Sequence, residues 1–233
     1  MADEKPQAQR VALLAGGSGL VGNELLRLLL RTSDYSRIYA VSRRPLPFDN
    51  PRLANRIVPL EETRARLNGV HCDDVFCCIG STRSSAGSVQ EREKVDLDLV
   101  VSFARAAQAF GATRMVVVTS AGANAQSRNP YLRVKGLLEG ALRELRFPCL
   151  EIMQPGLLLG VRAQPRLLEL AGSAVMPLLN PLLFGRLALW RGIAASDLAA
   201  AMLAAARSQR RGVHVSAGVT LRAMADSVKG KPF

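Results

Sequence analysis

Short apolar runs alternate along this chain with longer segments in which apolar residues recur every three or four positions. The runs occupy residues 11–15, 36–42, 74–79, 115–120, 148–153 and 212–215. Uninterrupted apolar runs are typical of strands that are buried on both faces of a parallel sheet, whereas the three-to-four spacing is typical of amphipathic helices. The alternation predicts an α/β fold built on a doubly wound, mostly parallel Rossmann sheet.

A glycine-rich turn follows the first run and opens the first helical segment. Gly16, Gly19 and Gly22 recur at three-residue spacing between strand and helix, which is the context that a dinucleotide-binding turn requires. The first glycine lets the chain turn, the second lets backbone amides approach a pyrophosphate, and the third lets the helix pack closely. The helix dipole also favours phosphate there. The alternative is a purely structural turn.

The end of the second strand predicts which dinucleotide is bound. Proteins that prefer NAD usually place an acidic residue about 20 positions past the glycines, where it accepts from the ribose 2′-hydroxyl. Here Ser42, Arg43 and Arg44 occupy that place. Because arginine forms forked, charge-assisted bonds to phosphate, we expect Arg43 and Arg44 to bind a 2′-phosphate, so that NADP(H) is preferred over NAD(H). The alternative is a solvated pair of turn residues.

The run at 74–79 ends in small residues at what we expect to be the carboxyl end of a central strand. Ligands of open α/β sheets bind outside the carboxyl ends of the strands. We therefore expect Ile79, Gly80 and Ser81 to form one wall of the cofactor site.

A serine, a tyrosine and a lysine follow in a spacing that suits acid–base chemistry. Ser120 ends the run at 115–120, Tyr131 follows Pro130 at an expected helix start, and Lys135 lies four residues later on the same helix face. An ammonium about 4 Å from a phenol stabilises the phenolate by roughly 4 kcal/mol at an effective dielectric of about 20, which is enough to activate it near neutral pH. We expect Ser120 to orient a substrate oxygen. A surface pair and an unrelated strand-end serine are the alternatives.

Composition limits the other classes of function. The 233 residues are 48% hydrophobic and carry a formal net charge of +12. The arginines are scattered and aromatic residues are few, so the charge does not form a nucleic-acid recognition pattern, and we expect no nucleic-acid partner. Four cysteines and two histidines lack metal-ligand spacing, so no metal site is expected.

Targeting signals and membrane spans are also not expected. Residues 1–9 lack the apolar core of a signal peptide, which makes export improbable and leads us to expect a reducing cytoplasmic location. The apolar segment 171–183 is broken by prolines and predicts short helices covering a pocket, without stable membrane insertion. The length suits a single domain over residues 1–233.

Six motifs together resemble those of atypical short-chain dehydrogenases/reductases, and more narrowly the bacterial relatives of the HIV Tat-interactive oxidoreductase group. The resemblance covers about residues 10–225. The motifs are the glycine turn, Ser42-Arg43-Arg44, Cys77-Cys78-Ile79-Gly80-Ser81-Thr82-Arg83, Thr119-Ser120-Ala121-Gly122-Ala123, Tyr131-Leu132-Arg133-Val134-Lys135-Gly136 and Pro155-Gly156-Leu157-Leu158-Leu159.

This resemblance implies an NADPH-binding Rossmann fold with Ser120, Tyr131 and Lys135 in the catalytic positions. It also implies that residues 160–195 contribute a small lobe covering the substrate. The implied cofactor contacts are Ser18, Gly19, Leu20 and Val21 at the pyrophosphate, Arg43 and Arg44 at the 2′-phosphate, Tyr131 and Lys135 at the ribose side, Pro155 and Leu158 at the nicotinamide, and Arg162 or Arg166 from a later loop. Gln154 and Ala121 depart from the family pattern, where arginine and lysine are common.

The residues and the resemblance together predict an NADP(H)-dependent oxidoreductase. Hydride transfer would run to or from a small carbonyl or alcohol substrate, with Tyr131 donating the proton and Lys135 supporting it. Two alternatives stay open: an NADPH-binding regulatory or scaffold protein with a protein partner and no turnover, and an isomerase or dehydratase that retains its nicotinamide. The sequence does not give the substrate or the oligomeric state.

Overall fold

A computed structural model of the chain describes residues 10–80, 94–159 and 191–230. Its strands are β1 Arg10–Ala15, β2 Tyr35–Ser42, β3 Leu53–Ile57, β4 Asp74–Cys77, β5 Arg114–Val118, β6 Cys149–Gln154, β7 Leu158–Leu159, β8 Ile193–Ala194 and β9 Gly212–Ala217. Its α-helices are α1 Leu20–Arg31, α2 Thr63–Arg66, α3 Leu99–Ala109, α4 Pro130–Glu144, α5 Ala195–Arg207 and α6 Val219–Lys229.

The central sheet has the predicted doubly wound, parallel arrangement. Seven strands pair in the order β3-β2-β1-β4-β5-β6-β9, and every described pairing among them is parallel. The strand order reverses between β1 and β4, which is where open sheets of this type bind ligands. The fold expected from the apolar pattern is confirmed.

Apolar side chains cover both faces of this sheet, as the uninterrupted apolar runs predict. Alternate residues of β1 point to opposite faces, so Leu14 packs with α1, α5 and α6 whereas Leu13 packs with α3 and α4. Leu13 and Leu14 are both fully buried. The glycine turn after β1 is thus attached to one of the most completely buried strands of the molecule.

Three local features were not contained in the apolar runs. The strand β3, Leu53–Ile57, pairs in register with β2 although no apolar run marks it. Within the described residues, a π-helical turn, Lys94–Asp98, precedes α3. The helix α5 starts at Ala195 after Ala194, without a side-chain cap.

A charged cluster fastens the amino edge of the sheet to the end of α5. The Asp74 carboxylate accepts hydrogen bonds from the Arg10 guanidinium at 2.5 Å and from the Tyr35 hydroxyl at 2.7 Å. Arg10 and Arg114 also donate to the Ala206 carbonyl at 2.8 and 2.6 Å. Cations at a helix C-terminus complement its unpaired carbonyls, so the cluster holds α5 in place.

Across residues 10–80, 94–159 and 191–230, no helix combines the length and apolar character that crossing a bilayer requires. The expected substrate lobe falls mainly on residues 160–190 and lies outside the described residues. Of that lobe, the structure describes β8, which pairs with β7 in a small second sheet.

Candidate active site

An open cleft of about 860 Å³ lies at the carboxyl ends of β1, β2 and β4. The residues in its wall that the sequence predicted are Gly16, Ser18, Gly19, Arg43, Ile79 and Gly80. Further lining residues form an apolar wall, which we call the second wall and which also carries the Glu61 carboxylate: Ile57, Val58, Pro59, Leu60, Val95 and Leu99. Sequence reasoning missed this second wall because only the folded chain brings the segments 57–61 and 95–99 together.

The glycine turn is shaped by contacts that leave no room for a side chain. Gly16 has a φ of +87°, and a Cβ there would lie 2.7 Å from the carbonyl carbon of Cys78. A Cβ at Gly22 would lie 2.1 Å from the Gly16 oxygen, so α1 packs directly on the turn. Gly19 precedes α1 without a side-chain cap, and its amide donates to the Gly16 carbonyl at 2.9 Å.

The turn after β2 carries two exposed arginines on a backbone that is held by side chains. The Ser42 hydroxyl donates to the Arg44 carbonyl at 2.7 Å and accepts from the Asn55 amide at 2.7 Å. Arg43 lines the cleft, whereas Arg44 does not. Within the described residues, neither guanidinium makes a hydrogen bond or an ion pair. Asn55 was not predicted from sequence.

Two cysteines lie at the end of β4, and the second of them, Cys78, lines the cleft. Burial raises the pKa of the Cys77 thiol to about 11, and it raises that of Cys78 well above its ordinary value. The Cys78 sulfur lies 3.9 Å from the Met202 sulfur. Both thiols therefore stay protonated at neutral pH and serve as packing. Ile79 and Gly80 lie in this wall, and Ser81 lies outside the described residues.

Lys135 joins the cleft to the predicted catalytic tyrosine. Its ammonium lies 5.9 Å from the centre of the Tyr131 ring, and a Cβ built on Gly80 would be 3.1 Å from the same nitrogen. The ammonium also pairs with the Asp96 carboxylate at 3.5 Å, and the two side chains are only 2% and 1% exposed. Asp96 follows no strand and belongs to no recognisable motif, so its pairing with Lys135 was not predicted.

The helix α4 begins where the sequence indicated. The Asn129 side chain accepts a hydrogen bond from the Tyr131 amide at 3.0 Å, which is standard N-capping, and Pro130 occupies the first turn. A Cβ on Gly136 would lie 2.1 Å from the Ala125 nitrogen, so this glycine lets the loop after β5 press against the helix. That loop begins at Ser120, whose buried hydroxyl donates to the Ala121 carbonyl at 3.3 Å.

A buried carboxylate on α4, that of Glu139, is the hydrogen-bond partner of the Gln154 side chain. The buried Glu139 accepts hydrogen bonds from the Thr119 hydroxyl at 2.7 Å and from the Gln154 amide at 2.8 Å. Arg143 adds an ion pair at 3.6 Å. An amide at position 154 thus satisfies the carboxylate through a neutral donor, next to the strand end that carries Ser120.

Several predicted contacts are not brought to the cleft wall by the described residues. Leu20, Val21 and Gly22 lie in the first turn of α1 behind the glycine turn, and Arg44, Pro155 and Leu158 lie outside the wall. Arg162 and Arg166 lie outside the described residues. The cofactor contacts of all these residues stay predictions. No metal-binding group of His, Cys, Asp or Glu is found in the part of the chain that the structure describes.

A protein-family model matches the part of the chain that contains Ser120, Tyr131 and Lys135. The family model described as HIM1 matches residues 55–186, more than half of the chain. The chain belongs to the HIM1 family. This HIM1 match includes β3 to β6, and therefore Asn55, Asp96 and the Ser120, Tyr131 and Lys135 positions.

Individual relatives of this HIM1 chain support the same conclusion. Protein FMP52, mitochondrial, of Saccharomyces cerevisiae is 34% identical over 157 residues, covering 66% of this chain and 68% of its own. Protein HTATIP2 of Rattus norvegicus is 34% identical over 168 residues, covering 70% and 69%. These relatives confirm the expected kinship with the Tat-interactive group; being fungal and mammalian, they lend no support to its bacterial part.

A solved structure resembles the fold across nearly its whole length. MoeE5 in complex with UDP-glucose and NAD has a TM-score of 0.66 and 18% sequence identity, covering 94% of this chain and 82% of its own. At 18% identity this similarity supports the Rossmann fold of the chain, and it does not extend to a substrate or an activity.

The expected cytoplasmic location is wrong. Six FMP52 relatives from fungi, 32% to 36% identical to this HIM1 chain, carry the word mitochondrial in their names. The sequence argument failed because the lack of an apolar signal core bears only on export and does not distinguish one internal compartment from another.

Proposed function

We propose that the chain is an NADP(H)-dependent oxidoreductase that transfers hydride to or from a small carbonyl or alcohol substrate. One observation carries this proposal: the glycine-walled cleft meets, at Gly80, a buried lysine that lies beside Tyr131. A dinucleotide site and an acid–base pair therefore share one boundary, which is the arrangement that hydride transfer coupled to proton transfer needs.

The described residues fit a nicotinamide dinucleotide. The volume of about 860 Å³ is within the range of small-molecule and cofactor sites. Gly16 and Ser18 offer backbone amides just before α1 for the pyrophosphate, while the Gly19 amide closes the turn on the Gly16 carbonyl. The apolar wall from Val58 to Leu60 with Leu99 suits a flat aromatic base, and Arg43 supplies a cation for a 2′-phosphate. When bound, the cofactor supplies or accepts the hydride.

The chain's own residues hold and move the proton in this proposal. The Tyr131 hydroxyl donates to the substrate oxygen during reduction and accepts the proton back during oxidation. Lys135 supports Tyr131 by placing its ammonium 5.9 Å from the centre of the ring, and Asp96 keeps that ammonium in place in a buried setting. Ser120, two residues beyond the end of β5, orients the substrate oxygen after its hydroxyl turns from the Ala121 carbonyl, its acceptor at 3.3 Å, toward the substrate.

The preference for NADP(H) over NAD(H) is the finer part of the proposal. It is supported by Arg43 in the cleft wall and by the absence of a carboxylate from the described turn 42–46. Glu61 is the acidic group in the described wall that would favour a ribose hydroxyl instead. We infer that Arg43 outweighs it, because a guanidinium can form two charge-assisted bonds to one phosphate, whereas the 2′-hydroxyl has a single hydrogen to donate to Glu61.

Single-turnover oxidation of NADPH against a panel of carbonyl compounds tests the proposal. We expect Tyr131→Phe to reduce the rate at least about a hundredfold, which is the lower end of general acid–base contributions. The affinity for NADPH should fall by no more than the loss of one hydrogen bond to the ribose, about 0.5–1.5 kcal/mol. Tyr39→Phe, which removes a phenolic hydroxyl from β2, is the matched control and should turn over normally.

Other outcomes of the same experiment identify the alternative functions. NADPH that raises the melting temperature without ever being consumed indicates a regulatory or scaffold protein. Nicotinamide that co-purifies with the chain and undergoes no net oxidation indicates an isomerase or dehydratase. Equal turnover by the parent and Tyr131→Phe removes the catalytic assignment.

A further inference from the structure

Asn55 on β3 uses its whole side-chain amide to hold the turn that carries the two arginines. Its nitrogen donates to the Ala40 carbonyl at 3.0 Å and to the Ser42 hydroxyl at 2.7 Å. Its oxygen accepts from the Leu46 amide at 2.8 Å. Both amide hydrogens and the oxygen are thus engaged, and the contacts lie at the two ends of the turn 42–46.

These contacts determine which hydrogen bonds the Ser42 hydroxyl can make to a ligand. A serine hydroxyl has one hydrogen, and that of Ser42 is donated to the Arg44 carbonyl at 2.7 Å. Ser42 is 9% exposed and accepts from Asn55 at the same time. In this arrangement Ser42 has no hydrogen left for a ligand, so it shapes the turn and does not read the ribose.

The same contacts separate the two arginines. The backbone carbonyl of Arg44 is turned inward and fixed by Ser42, and the Arg44 side chain lies outside the cleft wall. Arg43 precedes it, has an exposed side chain and lines the cleft. The fixed backbone therefore directs the first arginine, and not the second, toward the bound molecule.

We propose that Asn55 is a positioning residue for NADP(H) specificity: its amide fixes the turn so that Arg43 meets the 2′-phosphate of the cofactor. This inference rests on the proposed NADP(H) preference and deepens it. A long, exposed arginine loses rotamer freedom when it binds, so a backbone that is fixed beforehand reduces the cost of forming the charge-assisted bonds. The pyrophosphate contacts at Gly16 to Gly19 do not depend on Asn55.

The test compares dissociation constants for NADPH and NADH, which differ only in the 2′-phosphate, by fluorescence titration of the purified full chain. We expect Asn55→Ala to raise the constant for NADPH about tenfold, or about 1.4 kcal/mol, while that for NADH changes less than about twofold. Ser42→Ala removes the bridging hydroxyl without touching β3 and should act in the same direction. It remains informative if Asn55→Ala fails to fold.

A matched control lies five residues earlier. The Asn50 side chain also accepts from a backbone amide, that of Arg52 at 2.9 Å, which lies outside the turn 42–46. Asn50→Ala should therefore leave both dissociation constants unchanged. In an Arg43→Ala background, Asn55→Ala should have no further effect on NADPH, because the group that it positions is gone, whereas Arg44→Ala should leave the Asn55 effect intact.

The outcomes separate this inference from the proposed function. Equal weakening of NADPH and NADH by Asn55→Ala and Ser42→Ala would mean a merely structural role and would overturn the inference. So would an undiminished Asn55 effect in the Arg43→Ala background. A parent protein that binds NADH as tightly as NADPH would refute the proposed preference itself, and the inference with it. A selective loss of NADPH that vanishes without Arg43 supports both.

Discussion

At the scale of single residues, Gly22 is one of two described glycines, with Gly136, at which a Cβ would lie 2.1 Å from a backbone atom. A Cβ at Gly22 would lie 2.1 Å from the Gly16 oxygen and 2.7 Å from the Gly16 carbon. Both are backbone atoms of the turn that borders the cleft, so neither can rotate away as a flexible side chain could. Any substitution at Gly22 therefore displaces the turn or the start of α1.

We expect Gly22→Ala to destabilise the fold by about 1–3 kcal/mol, the usual cost of overpacking a close contact. NADPH binding should weaken along with stability, because the displaced atoms belong to the cleft wall. Gly140→Ala is the matched control: Gly140 lies within α4 with open space around its Cα. That change should stabilise the chain by about 0.5–1 kcal/mol. Urea denaturation measures both variants.

Sequence reasoning succeeded at residues whose role is local and failed at those whose role depends on distant partners. The turn at Gly16 to Gly22 was predictable because spacing, strand and helix are adjacent in the chain. Asp96 lies 39 positions before Lys135, and only the folded chain brings the two together. Asn55 meets Ser42 because β3 pairs with β2 in a particular register, which the apolar pattern did not determine.

At the scale of elements, α4 organises the candidate site. Tyr131, Lys135 and Glu139 follow one another at four-residue spacing and so share one helix face. Lys135 meets Asp96 of the π-helical turn, and Glu139 meets Thr119 beyond β5. One helix is thus tied to two neighbouring elements by buried polar contacts, which fix its rotation about its own axis.

We expect Asp96 and Lys135 to be strongly coupled in a double-mutant cycle. Asp96→Asn and Lys135→Met should each lower the free energy of unfolding, because each leaves a buried group without its charged partner. The double variant should lose less than the sum by about 2 kcal/mol. Denaturant titration of the four proteins measures this coupling.

An exposed ion pair provides the comparison for that cycle. Glu62 and Arg66 lie four residues apart in sequence, and the Glu62 carboxylate is 2.9 Å from the Arg66 Nε. Their side chains are 43% and 66% exposed. Their coupling, measured with Glu62→Gln and Arg66→Met, should not exceed about 0.5 kcal/mol. Comparable coupling in both cycles would contradict a buried role for Asp96.

Element types were predictable, whereas most element ends were not. The apolar runs predicted six of the seven strands of the central sheet, all except β3, because burial on both faces removes polar alternation from a strand's sequence. The start of α4 was predictable from Pro130. The start of α5 was not, because Ala194 has no capping side chain and Ser196 lies already inside the helix.

At the scale of the whole molecule, the end of α5 is bound to the amino ends of β1 and β5 and to the residue before β2. Arg10 and Arg114 both bind the Ala206 carbonyl, and Arg207 pairs with Asp34 at 2.7 Å. Asp74 lies at the centre of this cluster. Burial raises the pKa of the Asp74 carboxyl, and the Arg10 guanidinium and the Tyr35 hydrogen bond oppose that rise.

We expect Tyr35→Phe to lower the free energy of unfolding by about 2 kcal/mol near pH 8, since hydrogen bonds to charged groups contribute roughly 1.5–3 kcal/mol. The Tyr35 hydroxyl stabilises the ionised carboxylate, so its contribution is present above the pKa of Asp74 and is lost as the pH falls through it. The deficit should therefore shrink toward pH 4.

Tyr39→Phe controls for the loss of a phenolic hydroxyl from the same strand, since the Tyr39 ring contacts Arg37 and Arg56 through its face. It should change stability by less than about 0.5 kcal/mol at either pH. A deficit for Tyr35→Phe that grows on acidification would contradict the assignment of Asp74 as the ionised acceptor. Chemical denaturation at several pH values makes the comparison.

The bond from Arg10 to Ala206 spans 196 positions, and this has a consequence for synthesis. A nascent chain that has emerged as far as β5 already holds both walls of the cleft, yet only α1 covers the face of the sheet that carries Leu14 until α5 is made. The ribosome must therefore add residues 195–207 before this face is fully covered. Chains that end before α5 would expose an apolar face of the sheet, and we expect proteases to degrade them.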